Sequence, residues 1–211
     1  NPDAYCLSGT CNMTGVSVVV TLASGSASTS SSAAACNDGT WSATADASSL
    51  ADGTVTVTAV GSTDLETNTV TSSVNKDTTG PAVSVPANIT VDADSADGTP
   101  ASNAAIAAFL EEATAADIVD GSVSVTNNAP PVFPIAATTV TFTAADVLGN
   151  IGTATAVVTV EDQSPPVIDA PATFVVLGTE AGLSATEQAI VDFIASVTAT
   201  DKVDGALAIT N

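Results

Sequence analysis

The chain has no histidine and only two cationic residues, Lys76 and Lys202. A nucleophile activated by a neighbouring histidine is therefore excluded, and so is a zinc site that needs histidine. No glycine-rich phosphate-binding loop occurs either. The 23 acidic residues leave room for a glycosidase-type carboxylate pair, but aromatic platforms for sugar rings are scarce, at 3% of the residues. The sequence therefore predicts that the protein is not an enzyme.

The shortage of positive charge also limits the partners. The formal net charge is −21, whereas binding to nucleic acid or to an anionic membrane surface needs clustered Lys and Arg. No apolar run approaches the ~20 residues of a membrane helix. We therefore expect the protein neither to bind nucleic acid nor to insert into a membrane. A divalent cation would relieve the repulsion between so many carboxylates, and a saline habitat would screen it.

Cysteine is scarce, and its three copies lie within the first 36 residues. In a chain this acidic and threonine-rich, they indicate an exported protein with a disulfide. A hairpin from Val16 around the Ser-rich loop would end at Cys36 and bring it close to Cys11. This predicts a Cys11–Cys36 bond, with Cys6–Cys36 as the alternative. Two sequons, at Asn12 and Asn88, are candidate glycosylation sites.

Two stretches of the sequence occur twice. PAVSVP (81–86) returns as PVIDAP (166–171), and ATAADIVDGSVSVTN (113–127) returns as VTATDKVDGALAITN (197–211). Asp120 and Asp204 lie 84 residues apart, so the chain is a modular array. We expect modules at 1–77 and 78–163 and the first half of a third at 164–211. Further chain or another subunit would complete this half, whose apolar residues would otherwise face water on one side: Ile168, Phe174, Val176, Ile190 and Phe193.

The periodicity of each module is that of strands, with one exception. Thr- and Val-rich runs alternate with Gly, Asp and Asn turns about every ten residues, which is typical of an antiparallel sandwich. AAAC and TWSATA, joined by Asn-Asp-Gly, read as a hairpin. Residues 101–117 and 184–201 have helical spacing instead, with Ser102 and Ser184 as possible caps. The sequence predicts an all-β fold of tandem immunoglobulin-like sandwiches, with a short inserted helix in each later repeat.

The acids at the predicted module joints are candidate calcium ligands. Calcium takes six to eight oxygen ligands from carboxylates, Asn side chains and carbonyls, and loops at the end of a sandwich can supply them. Asp and Asn also form turns without any ion, so the pattern alone leaves both interpretations open. The candidate ligands are Asp77, Asp117, Asp120, Asp146, Asn150 and Asp162.

Residues 81–161 resemble the hyalin repeat, an immunoglobulin-like module of extracellular proteins. The resemblance rests on ATAADIVDG (113–121), VFP (132–134) and TTVTFTAADVLGNIGTATAVVTV (138–160), and residues 165–211 match the first half of the same repeat. Ala136 departs from the family's usual Gly. Residues 1–77 resemble immunoglobulin-like repeats of bacterial adhesins, through DGTWSA (38–43), LADGTVTVTA (50–59) and DTTGP (77–81).

These resemblances imply an exported, extended surface protein, often stiffened by calcium, and no catalysis. We expect a stalk, fibre or adhesin segment at the cell surface. Its partners would be neighbouring repeats or subunits of the same protein, and cell-surface glycans or proteins. Two alternatives remain: a filament subunit assembled by strand exchange, and a non-catalytic module of a secreted polysaccharide-degrading enzyme.

Overall fold

The structure, a computed structural model, describes residues 4–12, 15–171, 173, 175–176, 178, 182, 184 and 186–210. By their contacts the residues form two compact units. The first unit is Asn1–Ala82 with Ala115–Ser124 and Ala144–Gly152, and the second is Val83–Thr114 with Val125–Thr143 and Thr153–Asn211. The sequence-based domain limits at residues 77 and 163 stay a prediction.

The all-β fold class predicted from the sequence is confirmed. Two helices occur in the described part of the chain, α1 (Ala104–Glu111) and α2 (Gln188–Ser196), and neither is long enough to cross a bilayer. The strands are β1 (Ala4–Thr10), β2 (Ser17–Ser24), β3 (Ala27–Ser30), β4 (Ala34–Ala35), β5 (Thr40–Asp46), β6 (Gly53–Ser62), β7 (Thr67–Lys76), β8 (Ala82–Ser84), β9 (Ile89–Asp92), β10 (Thr99–Pro100), β11 (Thr114–Asp117), β12 (Gly121–Val123), β13 (Val125–Asn127), β14 (Val132–Phe133), β15 (Ala137–Ala145), β16 (Ile151–Glu161), β17 (Val167–Asp169), β18 (Thr198–Asp201) and β19 (Gly205–Leu207).

The first unit is built on an antiparallel sandwich. One sheet has the order β3-β2-β6-β7, with β4 also pairing with β2, and β1 pairs with β5 in the other. Alternate residues of β2, namely Val18, Val20 and Leu22, are buried. They pack with Ala45 of β5 and Val55 of β6, because alternation directs one face of each strand into the core.

The predicted hairpin at residues 33–45 forms only at its turn. Asn37 and Thr40 exchange backbone hydrogen bonds around Asp38 and Gly39, both of which have positive φ. Beyond that bridge the strands separate, since β4 pairs with β2 whereas β5 pairs with β1. The predicted strand pairing is absent because the turn passes from one sheet of the sandwich to the other, so the flanking strands enter different sheets.

The structure contains a disulfide between Cys11 and Cys36, whose Cα atoms lie 6.2 Å apart. Two backbone hydrogen bonds place these residues: Cys36 donates its N–H to the Val16 carbonyl at 2.9 Å, and Cys11 donates its N–H to the carbonyl of Gly39, three residues after Cys36, at 2.8 Å. Cys6 is free and exposed on β1.

The second unit is organised around a sheet of order β13-β15-β16-β9, in which β9 runs parallel to β16. Its core includes Val140 and Phe142 of β15 and Val158 of β16. Helix α1 covers this core with two buried residues, Ile106 and Phe109. The Phe109 ring meets that of Phe142 edge to face, with centroids 5.9 Å apart, a favoured aromatic geometry.

Both helices are shorter than the sequence predicts. Helix α1 begins after Asn103, whose Oδ1 accepts the Ala105 N–H, so Ser102 is not the cap. Helix α2 begins after Glu187 without a side-chain cap, since Ser184 bonds to the Thr186 N–H instead. Strands β11 and β18 occupy the ends of the two predicted helical segments. The segment after β11 forms two short strands, β12 and β13, which pair with β11 and β15 respectively.

The C-terminal copy of the repeat packs more loosely than the first. Helix α2 has no fully buried residue. Ile190 and Phe193, which lie 84 residues after Ile106 and Phe109, are only half-buried. Ile168 is exposed and Val176 half-buried, whereas Phe174 lies outside the described residues. The same helical sequence pattern therefore gives two different degrees of burial.

Removing the disulfide by Cys11→Ser with Cys36→Ser should destabilise the first unit by about 3 kcal/mol, because the bond closes a 25-residue separation that the unfolded chain would otherwise explore. Trp41, the only tryptophan, reports urea unfolding of this unit by fluorescence. The matched control, Cys6→Ser, alters a free, exposed thiol and should change stability by less than about 0.5 kcal/mol. Equal losses in both proteins would contradict this account.

Phe109→Ala should destabilise the second unit by about 3–5 kcal/mol, because it removes a buried ring from the core. We expect hydrogen exchange across residues 137–161 to rise sharply. Phe193→Ala is the matched control, since it removes the repeat counterpart from a half-buried position. It should leave exchange in 137–161 unchanged, and a similar rise there would be evidence against the Phe109–Phe142 core.

Candidate metal centre

Three of the predicted ligands come together at the ends of strands in the first unit. Asp77 directly follows β7, Asp117 is the last residue of β11, and Asp146 directly follows β15. One carboxylate oxygen of each lies within 4.8 Å of the others. Oxygens on opposite sides of one calcium ion are about 4.6–5.2 Å apart, because each Ca–O distance is about 2.3–2.6 Å. The three carboxylates can therefore share one ion.

Glycine allows the segments on either side of this cluster to touch. A Cβ atom on Gly80 would overlap the backbone of Ile151, and one on Gly152 would overlap the carbonyl of Pro81. Residues 80–81 thus pass directly against residues 151–152, backbone to backbone. Since Gly80 lies three residues after Asp77, and Gly152 six after Asp146, this contact brings the two aspartates to the same place.

Asp117 and Asp146 are oriented by local hydrogen bonds. Asp117 is 7% exposed, and its Oδ1 accepts the N–H groups of Val119 at 2.7 Å and Asp120 at 3.1 Å. Asp146 is 8% exposed, and its two oxygens accept the backbone N–H and the side-chain Nδ2 of Asn150, at 2.8 and 2.7 Å. Burial opposes the ionisation of Asp146, but the bonds from Asn150 outweigh it and lower its pKa. Asp146 is thus held in its charged form.

Asp77 is in the opposite electrostatic situation. Its Oδ1 is a buried side-chain oxygen without a hydrogen-bond partner in the described part of the chain. Burial, followed by the like charges of Asp117, Asp146 and Asp120, raises its pKa. A buried acceptor without a donor is costly, and a bound cation would satisfy it. The donor set, all carboxylate oxygen, is the type that calcium prefers.

Asp120 and Asn150 lie beside the cluster and support it. Asp120 Oδ2 accepts the Val147 N–H at 2.7 Å and so joins the two loops that carry Asp117 and Asp146. Asn150 holds Asp146 as described above. Their predicted role as direct ligands stays a prediction, as does glycosylation at Asn12 and Asn88, both of which are exposed. At Asn88 the side-chain oxygen accepts the Val157 N–H at 2.9 Å.

Asp162 belongs to a separate group in the second unit. One carboxylate oxygen of each of Asp162, Asp201 and Asp204 lies within 4.8 Å of the others. Asp201 Oδ1 accepts the N–H groups of Val203 at 2.7 Å and Asp204 at 3.2 Å, which repeats the turn at Asp117. Asp201 and Asp204 were absent from the sequence-based candidates, although they lie 84 residues after Asp117 and Asp120 and the repeat could have identified them.

Asp52 was also missed. It is not part of the cluster, but its carboxylate accepts hydrogen bonds from residues on both sides of Asp77. The scarcity of cations could have pointed to Asp52, because an acid that pairs with one of only two lysines deserves notice. Lys76 lies opposite Gly53 in the β6–β7 register, and Asp52 is the acid next to Gly53.

Comparison with known proteins identifies the module that carries the first cluster. Residues 76–160 match the model of the HYR domain family. The chain is 36% identical over 113 residues to hyalin of Lytechinus variegatus, a match that covers 52% of this chain and 21% of that protein. The chain thus spans about a fifth of the length of this relative.

Two similar solved structures are extracellular domains 3–6 of protocadherin gamma B2, and a Ca²⁺-stabilized adhesin with which an Antarctic bacterium binds ice. The protocadherin is 9% identical to this chain and the adhesin 19%. Each similarity covers 81% of this chain, and it covers 52% of the protocadherin chain and 48% of the adhesin chain. Both TM-scores are 0.30, which is too low to support any conclusion about this chain. The resemblance of residues 1–77 to adhesin repeats stays a prediction. The match of residues 76–160 to the HYR domain family and the similarity to hyalin together support a hyalin-repeat module in this chain.

Proposed function

We propose that this chain is a structural segment of an extracellular, adhesion-type repeat protein, and that calcium stiffens its modules. The HYR domain and the similarity to hyalin support the extracellular and adhesive part of this proposal. The partners we propose are neighbouring repeats or subunits, and cell-surface glycans or proteins. Binding and spacing, without catalysis, are the roles that suit a modular array of this composition.

The observation that carries the calcium proposal is the buried, unpartnered Oδ1 of Asp77 beside two buried carboxylates. An ion bound there would connect residues on three separate segments of the chain, at 77, 117 and 146. It would also remove the like-charge repulsion that raises the pKa of Asp77. Asp162, Asp201 and Asp204 would repeat the arrangement in the second unit.

Calcium in hundredfold excess over its Kd should stabilise the chain by about 2.7 kcal/mol, a rise in Tm of roughly 5–10 °C for a protein of this size. We would measure melting of the full chain by the fluorescence of Trp41, in calcium and in chelator. Asp146→Asn removes one carboxylate of the cluster and should abolish most of the shift.

The matched control is Asp64→Asn, which removes the same charge from an exposed turn and should keep the full calcium shift. Magnesium should give a smaller shift, because it is smaller and demands octahedral geometry. Identical melting curves of the wild-type protein in calcium and in chelator would refute the calcium proposal.

Asp77→Asn should have effects of opposite sign with and without calcium. The folded-state pKa of Asp77 is raised, so its ionised form disfavours folding at pH 7, and this penalty is relieved as pH falls through the raised pKa. In chelator at pH 7 the neutral Asn should therefore melt higher than the wild type, and its advantage should shrink as pH falls.

In calcium, Asp77→Asn should lose the stability that the ion contributes at this cluster and should melt below the wild type. Differential scanning calorimetry at several pH values, with and without calcium, would measure both effects. A lower Tm for Asp77→Asn in chelator at pH 7 would show that Asp77 makes a favourable contact without the ion.

A further inference from the structure

Asp52 holds both sides of Asp77 with a single carboxylate. Its Oδ1 accepts from Lys76 Nζ at 2.9 Å, and its Oδ2 accepts the Thr78 N–H at 3.0 Å. The Thr78 and Thr79 hydroxyls donate to the same carboxylate, at 2.9 and 2.7 Å respectively. We call Asp52 with these donors, Lys76, Thr78 and Thr79, the Asp52 clasp.

The ion pair at the centre of the clasp is buried, and its charges are matched. The side chains of Asp52 and Lys76 are each 6% exposed. Burial opposes the ionisation of Asp52, but the bonds from Lys76, Thr78 and Thr79 hold its pKa well below the usual range. A buried ion pair with its remaining hydrogen-bonding capacity satisfied tolerates little change of geometry. It therefore fixes the backbone immediately before and after Asp77.

Asp77 needs such an anchor. Its side chain lies among like charges, from Asp117, Asp146 and Asp120, and repulsion would otherwise move it away from them. The clasp bonds come from residues 76, 78 and 79 and leave the carboxylate of Asp77 free for the cluster. The arrangement thus holds an acid against the repulsion that an ion would later relieve.

The second unit contains the same arrangement around its own acidic group. Asp92 Oδ1 accepts the Gln163 N–H at 2.8 Å, and its Oδ2 accepts from Ser164 Oγ at 2.6 Å and Lys202 Nζ at 2.5 Å. Gln163 and Ser164 directly follow Asp162, and Lys202 directly follows Asp201. Both cations of the chain are therefore placed next to a clustered acid and paired with an acid outside the cluster.

We propose that Asp52 is a positioning residue for the cluster of Asp77, Asp117 and Asp146: through the clasp it fixes Asp77 in the geometry that binds calcium. This inference rests on the proposed function. Residues that orient metal ligands typically change metal affinity by about 10–100-fold when they are replaced. Asp52 lies outside the cluster, and its own charge adds to the repulsion on Asp77, so the gain in calcium affinity must come through the segment 76–79.

The test is a calcium titration of the full chain by NMR. The backbone amide resonances of Asp77, Asp117 and Asp146 are monitored, so that the measured Kd is that of this cluster. Asp52→Asn should raise that Kd about tenfold or more. Thr79→Val removes one hydroxyl donor at an exposed position and should raise the Kd less. Asp52→Glu, which keeps the charge, should retain more affinity than Asp52→Asn.

Leu50→Ala is the control for loss of stability. Leu50 lies two residues before Asp52 and is buried in the core of the first unit, so its replacement destabilises the same region without touching the clasp. Its Kd should stay within about twofold of the wild type. In chelator, the backbone order parameter at Asp77 should be near 0.85 in wild type and in Leu50→Ala, and should fall below about 0.6 in Asp52→Asn.

The possible failures are distinguishable. If the wild-type protein binds calcium and Asp52→Asn binds it equally well, the positioning role is wrong and the calcium site stands. An equal loss of affinity in Leu50→Ala and Asp52→Asn would also overturn the positioning role, since general destabilisation would explain both. If the wild-type cluster binds no calcium, the proposed function fails and the positioning role with it. A rigid Asp77 in Asp52→Asn rejects the clasp whether or not calcium binds.

Discussion

Repulsion between carboxylates is the constraint on which the rest of this structure depends. The chain has 23 acids and two lysines, yet it buries Asp117 and Asp146 almost completely and places Asp77 beside them. Two carboxylates at such a distance disfavour each other's ionisation. Hydrogen bonds offset this repulsion. Backbone amides hold Asp117, Asn150 holds Asp146, and the Asp52 clasp holds the chain on both sides of Asp77.

The distribution of these bonds explains why one oxygen is left without a partner. Asp117 and Asp146 sit in tight turns that supply their own N–H groups. Asp77 follows β7 in a segment without regular secondary structure, and the neighbouring donors at Lys76 and Thr78 are already used by Asp52. Its Oδ1 is therefore a buried oxygen without a hydrogen-bond partner in the described part of the chain, and it is the position that the proposed calcium ion would fill.

The two lysines also form ion pairs next to the acidic groups. A surface ion pair contributes little to stability, and the pair of Lys202 with Asp92 is partly exposed. The pair of Lys76 with Asp52 is buried and carries additional hydrogen bonds. Each pair contains a lysine that directly adjoins a clustered acid, Lys76 beside Asp77 and Lys202 beside Asp201. In a chain with so few cations, the main consequence of both pairs is to fix the positions of neighbouring segments. They hold the segments that follow β7 and β16.

The sequence by itself determined the strand-rich fold and the helix in each later repeat, which follow from alternation, turn residues and a repeat of 84 residues. It favoured the pairing of Cys11 with Cys36 over that of Cys6 with Cys36, and its motifs resembled the hyalin repeat over residues 81–161. It also selected Asp77, Asp117 and Asp146, but only among six candidates, because Asp and Asn at strand ends look the same whether they form a turn or a ligand. The tertiary structure decided which of them meet. Asp77 and Asp146 are brought together by the backbone contact at Gly80 and Gly152, and the loops of Asp117 and Asp146 by the bond between Val147 and Asp120. The role of Asp52 arises only from the pairing of β6 with β7. With the same helical pattern, Ile106 and Phe109 of α1 are buried, whereas Ile190 and Phe193 of α2 are half-buried, since burial depends on what packs against a helix and not on its sequence alone.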